Sequence, residues 1–175
     1  MAGAVPRKTL NKAAPGGRRA AARLGAVQAL YQLDMNGGTA AAVADEFVQH
    51  RLGREMDGDV YGGADEALFR RLFLGAAARR DELDNIIAAV LPDAWPLDRI
   101  DSILRQILRC GVHELAEFPD VPAPVVISEY VGVADAFFAG KEPGMVNAVL
   151  DRLARDLRPP ENRKGEARGG EPQKD

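Results

Sequence analysis

Basic side chains cluster at the beginning of this 175-residue chain, and phosphate binding is the chemistry that they could perform. The first 33 residues hold lysines and arginines but no acid. The basic residues there are Arg7, Lys8, Lys12, Arg18, Arg19 and Arg23. The formal net charge of the whole chain is −3, so the excess of acids lies in the remainder. A basic arm on an acidic body is expected of a segment that meets nucleic-acid phosphate. A solubilising tail would have the same composition.

The rest of the chain shows no arrangement of residues that predicts an enzyme. The Gly-Lys pair at residues 140–141 is followed by glutamate and lacks the upstream glycine of a phosphate-binding loop. Glu129 and Asp135 fall on different faces of one predicted helix, which makes them a poor acid and base pair. One cysteine, Cys110, and two distant histidines are too few for a structural zinc site. The sequence therefore predicts a non-catalytic protein with no cofactor and no bound metal.

The elements that must position the basic residues are helices. Apolar residues repeat at helical spacing, and no stretch alternates as a strand does. Helices are predicted at about residues 18–35, 40–52, 64–91, 97–118, 124–140 and 143–157. The segment 97–118 has apolar residues spaced for deep burial and is predicted to be central. In the first helix, the predicted buried stripe consists of Ala20, Leu24, Val27, Tyr31 and Met35. An all-α fold follows from these patterns.

Length and composition indicate one domain with flexible ends. Residues 1–17 are predicted to form a flexible basic arm, residues 18–157 the helical domain, and residues 158–175 a disordered tail rich in proline and glycine. No apolar run is long enough to span a membrane, and no secretory signal is evident. A single cysteine fits a reducing compartment. We therefore expect a cytoplasmic protein that does not contact a membrane.

The last two predicted helices carry a motif order that resembles the C-terminal end of the NusB family, the bacterial transcription antitermination factors. The order is V-P-x-x-V-x-I-x-E-x-V-x-x-A-x-x-F, a short gap, and V-N-x-V-L-D. In this chain it consists of Val121-Pro122, Val125, Ile127, Glu129, Val131, Ala134, Phe137, Val146-Asn147 and Val149-Leu150-Asp151. The segments R-R-x-x-x-R-x-x-A-V-Q-A-L-Y, from Arg18, and I-L-R-C-G-V-H-E-L, from Ile107, are also similar to family patterns. The resemblance covers roughly residues 18–157. It implies two small helical bundles packed together, with about seven helices.

The resemblance also implies a function and a set of site residues. Family members bind the single-stranded boxA element of ribosomal leader RNA together with NusE, a small-subunit ribosomal protein, and join an RNA polymerase antitermination complex. The implied RNA-binding residues are Arg18, Arg19, Arg23, Arg109, Lys141 and Met145. The implied partner-binding residues are Tyr31 and Glu114. Core packing is the alternative role for Tyr31, and an internal hydrogen-bond network is the alternative for Glu114.

Two other classes of protein remain open at this stage. One is a helical protein-interaction module that never meets RNA. The other is an orphaned RNA-binding module of an rRNA cytosine methyltransferase, because NusB-like domains also precede such enzymes.

Overall fold

The computed structural model describes residues 17–52 and 63–158. The described residues form seven helices and no strand, so the predicted all-α fold is confirmed. The helices are α1 (Gly17–Asn36), α2 (Ala40–His50), α3 (Glu66–Ala78), α4 (Arg80–Ala88), α5 (Ser102–Glu117), α6 (Ala123–Phe137) and α7 (Glu142–Leu157). The predicted arm up to residue 16 and the predicted tail beyond Arg158 lie outside the described residues. None of the described helices has the length and apolar character that crossing a membrane requires.

Local sequence signals set several helix ends. Gly37 and Gly38 have φ angles of 70° and 92°, a region that glycine adopts without steric cost, and they terminate α1. Thr39 caps α2 because its hydroxyl accepts from the Ala42 N–H at 3.2 Å. Asp101 caps α5 in the same way, accepting from the Ile103 N–H at 2.7 Å. These caps satisfy backbone donors that have no partner within the helix.

The predicted helix at residues 64–91 is wrong in one respect, because it is divided into α3 and α4 at Arg79. Arg79 has φ −115° and ψ 19°, outside the helical region, and its N–H donates to the Ala76 carbonyl rather than one residue further back. The side chain of Arg79 pairs with Glu82 and with Glu117 of α5. The apolar period continues through the break, so the sequence pattern gave no sign of it. The predicted helix at 97–118 begins later, at Ser102, where Asp101 caps it.

The helices form two groups that share a core. One group consists of α1, α2 and α3, which contact one another, and the other consists of α5, α6 and α7. Helix α5 also packs against α1, α3 and α4, and residues 106–115 are all buried. The prediction that this helix is central is therefore confirmed. Its burial means that every polar side chain within it needs a partner.

The buried face of α1 differs from the predicted stripe. The apolar residues that α1 buries are Ala22, Ala26, Val27, Ala29, Leu30 and Leu33, so Val27 alone of the predicted stripe lies in the core. Tyr31 is 37% exposed and Met35 is 53% exposed. Small residues allow α1 to lie close to its neighbours, and a Cβ added at Gly25 would come within 2.8 Å of Leu52 Cδ1. Tyr31 and Met35 consequently lie on the outer face of α1.

Arg158, the first residue of the predicted tail, lies against the helical domain. The Arg158 guanidinium donates to the carbonyls of Leu115 (3.1 Å), Phe118 (2.9 Å) and Val121. These carbonyls lie at the end of α5 and in the turn after it, where helix geometry leaves acceptors to be satisfied from outside the helix; the Phe118 carbonyl also accepts from the Val121 N–H at 3.1 Å. Arg158 therefore closes the C-terminal end of the central helix.

Candidate nucleic-acid interface

Arg18 and Arg19 lie exposed in the first turn of α1. Neither side chain makes an ion pair within the described residues. The Arg18 carbonyl accepts a hydrogen bond from the Asp65 N–H at 3.0 Å, which ties the start of α1 to the start of α3. Two exposed guanidinium groups on a fixed backbone can each bind a phosphate through several N–H donors.

Arg23 is buried, which argues against its predicted phosphate contact. Its Nε donates to both carboxylate oxygens of Glu114, at 3.1 and 3.0 Å, and its Nη2 donates to Oε1 at 2.7 Å. Glu129 lies 3.7 Å from Nη1. Burial by itself lowers the pKa of Arg23, but the hydrogen bonds and charge of Glu114 outweigh it, so the pKa lies above its usual value. This guanidinium has its charge satisfied inside the protein.

Glu114 is fully buried, which likewise argues against the prediction that it binds a partner. Besides Arg23, it accepts a hydrogen bond from the Tyr130 hydroxyl at 2.7 Å. Burial raises the pKa of Tyr130 well above its usual value, and the Glu114 charge adds to this rise, so the tyrosine stays a donor. Glu114 thus has the alternative role that the sequence allowed, in an internal network that joins α1, α5 and α6.

Arg109 belongs to a second internal network, which argues against its predicted RNA contact. Its Nε and Nη2 donate to the two carboxylate oxygens of Asp84, at 2.7 and 2.6 Å. Its Nη1 donates to Asp34 at 2.7 Å. Asp34 also accepts from Arg80 at 2.8 Å and from Gln106 at 2.9 Å. Although burial tends to raise the pKa of Asp34, these hydrogen bonds and the Arg109 charge hold it below its usual value.

Lys141 and Met145 lie at the start of α7, away from Arg18 and Arg19. Helix α7 ends near the end of α5, because Arg158 contacts the Leu115 carbonyl. Helix α1 begins near that end and runs antiparallel to α5, because Arg23 contacts Glu114 and Asp34 contacts Arg109. Lys141 and Met145 therefore lie toward the start of α5, whereas Arg18 and Arg19 lie near its end. Lys141 is exposed, but Met145 is only 7% exposed and packs in the core. This burial argues against a base-stacking role for Met145, and its RNA contact stays a prediction.

Tyr31 and Met35 are neighbours on the outer face of α1, one helical turn apart. Leu24 and Ala20 are half-buried on the same side of the helix. Exposed large apolar side chains that adjoin one another are typical of a surface that contacts another molecule. The sequence analysis missed Met35 as a candidate contact. The run of small residues Ala22, Gly25, Ala26 and Ala29 on the opposite face was the signal that could have identified the buried side.

Metal ligands and the single thiol were the remaining chemical groups to locate among the described residues. They contain no group of three or more His, Cys, Asp or Glu side chains placed to hold a metal ion. Cys110 is buried, and burial raises the pKa of its thiol far above the usual value, which keeps it protonated. Residues 53–62, where the sequence has several acids and glycines, lie outside the described residues.

Comparison with known proteins gives consistent matches over most of the chain. Residues 20–155 match the model of the NusB family. The transcription antitermination protein NusB of Sinorhizobium medicae is 49% identical over 141 residues, covering 81% of this chain and 88% of the relative. The protein of the same name from Rhodopseudomonas palustris is 49% identical over 165 residues, covering 91% of this chain and 98% of the relative.

Solved structures share the fold. NusB from T. maritima superposes with a TM-score of 0.68 at 25% identity, covering 83% of this chain and 96% of that one. A second similar chain comes from a crystal structure of the antitermination factors NusB and NusE in complex with dsRNA. It has a TM-score of 0.64 at 26% identity and covers 79% of this chain and 97% of that one.

Proposed function

Since this chain belongs to the NusB family, we propose that it is a transcription antitermination factor that binds boxA RNA together with NusE. In that role it joins an RNA polymerase antitermination complex and supports transcription of ribosomal RNA. The observation that carries the proposal is that a protein of the same fold was solved as a complex with NusE and RNA. We further propose that it acts in the cytoplasm and that it is not an enzyme.

The RNA contact that the structure supports best is at the start of α1. Arg18 and Arg19 are exposed cations. Arg23 and Arg109 instead form ion pairs with carboxylates inside the protein. Phosphate contacts of this kind position RNA without reading its sequence. Lys141, exposed at the other end of α5, is proposed as a second phosphate contact. An extended single strand would have to cross the length of α5 to reach both.

The contact with NusE is proposed at the outer face of α1. Tyr31 and Met35 provide an apolar patch on a rigid helix, and tyrosine is enriched among residues that dominate binding energy. Asp34 lies between them in sequence, but its carboxylate is engaged by Arg80, Arg109 and Gln106. The patch therefore presents apolar surface rather than a free charge at its centre.

A titration of fluorescently labelled boxA RNA tests the proposal. We expect the protein to bind boxA, and NusE to tighten boxA binding more than binding to a scrambled RNA of equal length. A helical protein-interaction module would bind NusE or another protein, but it would bind neither boxA nor the scrambled RNA. An orphaned methyltransferase module would bind RNA without any effect of NusE. Either of these outcomes would overturn the proposal.

A further inference from the structure

One arginine of α3 differs from its neighbours in having no acidic partner. In the α3–α4 region, Arg70 pairs with Asp45 and Glu66, Arg79 with Glu82 and Glu117, and Arg80 with Asp34. Arg71 is exposed, and no carboxylate of the described residues lies within ion-pair distance of it. Glu117, the acid closest in sequence to Phe118, is already held by Arg79 at 2.9 Å. The charge of Arg71 is therefore available to a ligand.

An aromatic ring holds the Arg71 side chain in place. The central carbon of its guanidinium lies 4.2 Å from the centroid of the Phe118 ring. Phe118 is itself buried at the end of α5, beside His113, with ring centroids 6.0 Å apart. A guanidinium that lies on a ring uses its flat face for that contact, while its N–H donors, which lie in the plane of the group, stay free at the edges. Less side-chain freedom is then lost when an anion binds.

Arg71 lies at the same end of the molecule as Arg18 and Arg19. Phe118, which the Arg71 side chain contacts, directly follows α5. Helix α1 begins at the same end of α5, because Arg23, one turn after Arg19, contacts Glu114, which lies one turn before Phe118. The Asp65 N–H bond to the Arg18 carbonyl places the start of α3 there as well. Three exposed arginines without acidic partners thus come from two helices that begin side by side.

We propose that Arg71 is a further phosphate-binding residue, which extends the RNA contact of Arg18 and Arg19 from α1 across to α3. This inference rests on the proposed function, because it names a residue of the same RNA-binding surface. The ligand is a backbone phosphate of single-stranded RNA. The contact contributes affinity and orientation but no sequence preference.

The adjacent Arg70 provides a matched control for the test. Arg71→Ala and Arg70→Ala each remove one positive charge from adjacent positions of α3, of which Arg71 is exposed and Arg70 half-buried, so any long-range electrostatic effect on RNA is similar. For single strands, each phosphate contact contributes about 0.7 to the slope of log affinity against log salt concentration. We expect Arg71→Ala to reduce that slope by about 0.7, which corresponds to roughly 5-fold weaker binding at about 0.1 M salt. Arg70→Ala should leave the slope unchanged.

The variants are measured in the full chain against boxA and scrambled RNA, with circular dichroism and the melting temperature as checks of folding. Arg71→Lys, which keeps the charge, should retain most of the wild-type slope. Equal slopes for Arg71→Ala and Arg70→Ala, with wild-type protein binding normally, would overturn the inference and leave the proposed function intact. Failure of the wild-type protein to bind any RNA would instead overturn the proposed function.

Discussion

The guanidinium of Arg23 and the carboxylate of Glu114 form a buried ion pair that joins α1 to α5 across 91 positions of sequence. Three hydrogen bonds of 2.7–3.1 Å link the two groups, and the Tyr130 hydroxyl adds a fourth bond to the same carboxylate. A buried charge is tolerated only when it is paired and hydrogen-bonded. The pair thus fixes the orientation of the helix whose first turn carries the proposed RNA contacts.

Removal of Arg23 should be strongly destabilising. Arg23→Ala leaves Glu114 charged, buried and without its ion-pair partner, which typically costs about 3–5 kcal/mol. Urea unfolding followed by circular dichroism measures this loss. Arg19→Ala is the matched control, because this residue is exposed in the same helix. It should change the free energy of unfolding by no more than about 0.5 kcal/mol. Similar costs for the two variants would contradict the assignment of Arg23 to the interior.

Replacement of Arg18 and Arg19 together should weaken RNA binding without harming the fold. If each contacts one phosphate, the double alanine variant should reduce the slope of log affinity against log salt by about 1.4. Binding to boxA and to unrelated RNA should weaken alike, because phosphate contacts carry no sequence information. Helicity should stay near that of the wild type, since alanine is a good helix former. An unchanged slope would place the RNA contact elsewhere.

Replacement of Tyr31 should separate partner binding from stability. Tyr31→Ala should weaken NusE binding by about 10-fold or more, as expected for a tyrosine at the centre of an interface. Leu30→Ala, at the adjacent but fully buried position, should instead lower the free energy of unfolding by about 2–5 kcal/mol. Calorimetric titration with NusE and urea unfolding measure the two effects. Unaltered NusE binding by Tyr31→Ala would remove this face of α1 from the proposed interface.

Arg158 should contribute to stability although it follows the last helix. Arg158→Ala removes the donors for the carbonyls of Leu115, Phe118 and Val121, and the partial loss of these bonds should cost about 1–3 kcal/mol. Arg155→Ala, in the last turn of α7, removes only an exposed pair with Asp151 and should cost about 0.5 kcal/mol or less. Thermal unfolding of both variants tests this difference. Equal stability would show that the Arg158 contacts do not matter in solution.

The fold class and the central helix could be predicted from the sequence because both depend on local patterns. The apolar period of residues 103–115 and the Asp101 cap lie within one stretch of chain, and so does the Gly37-Gly38 stop after α1. A helix with a continuous apolar stripe has to bury that stripe, whatever its neighbours are. The break at Arg79 was not predictable in this way, because its cause includes Glu117, which comes from another helix.

The site residues show where local patterns stop being informative. The sequence by itself determined that arginines occur at helical positions 18, 19, 23, 71 and 109, and that the chain folds as an all-α member of a family. Only the tertiary structure decided which of these charges face solvent. Arg23 and Arg19 are indistinguishable by residue type and spacing, yet the Glu114 carboxylate meets only one of them. The physical reason is that an arginine's availability depends on whether the fold brings a carboxylate to it, and that carboxylate can lie anywhere along the chain.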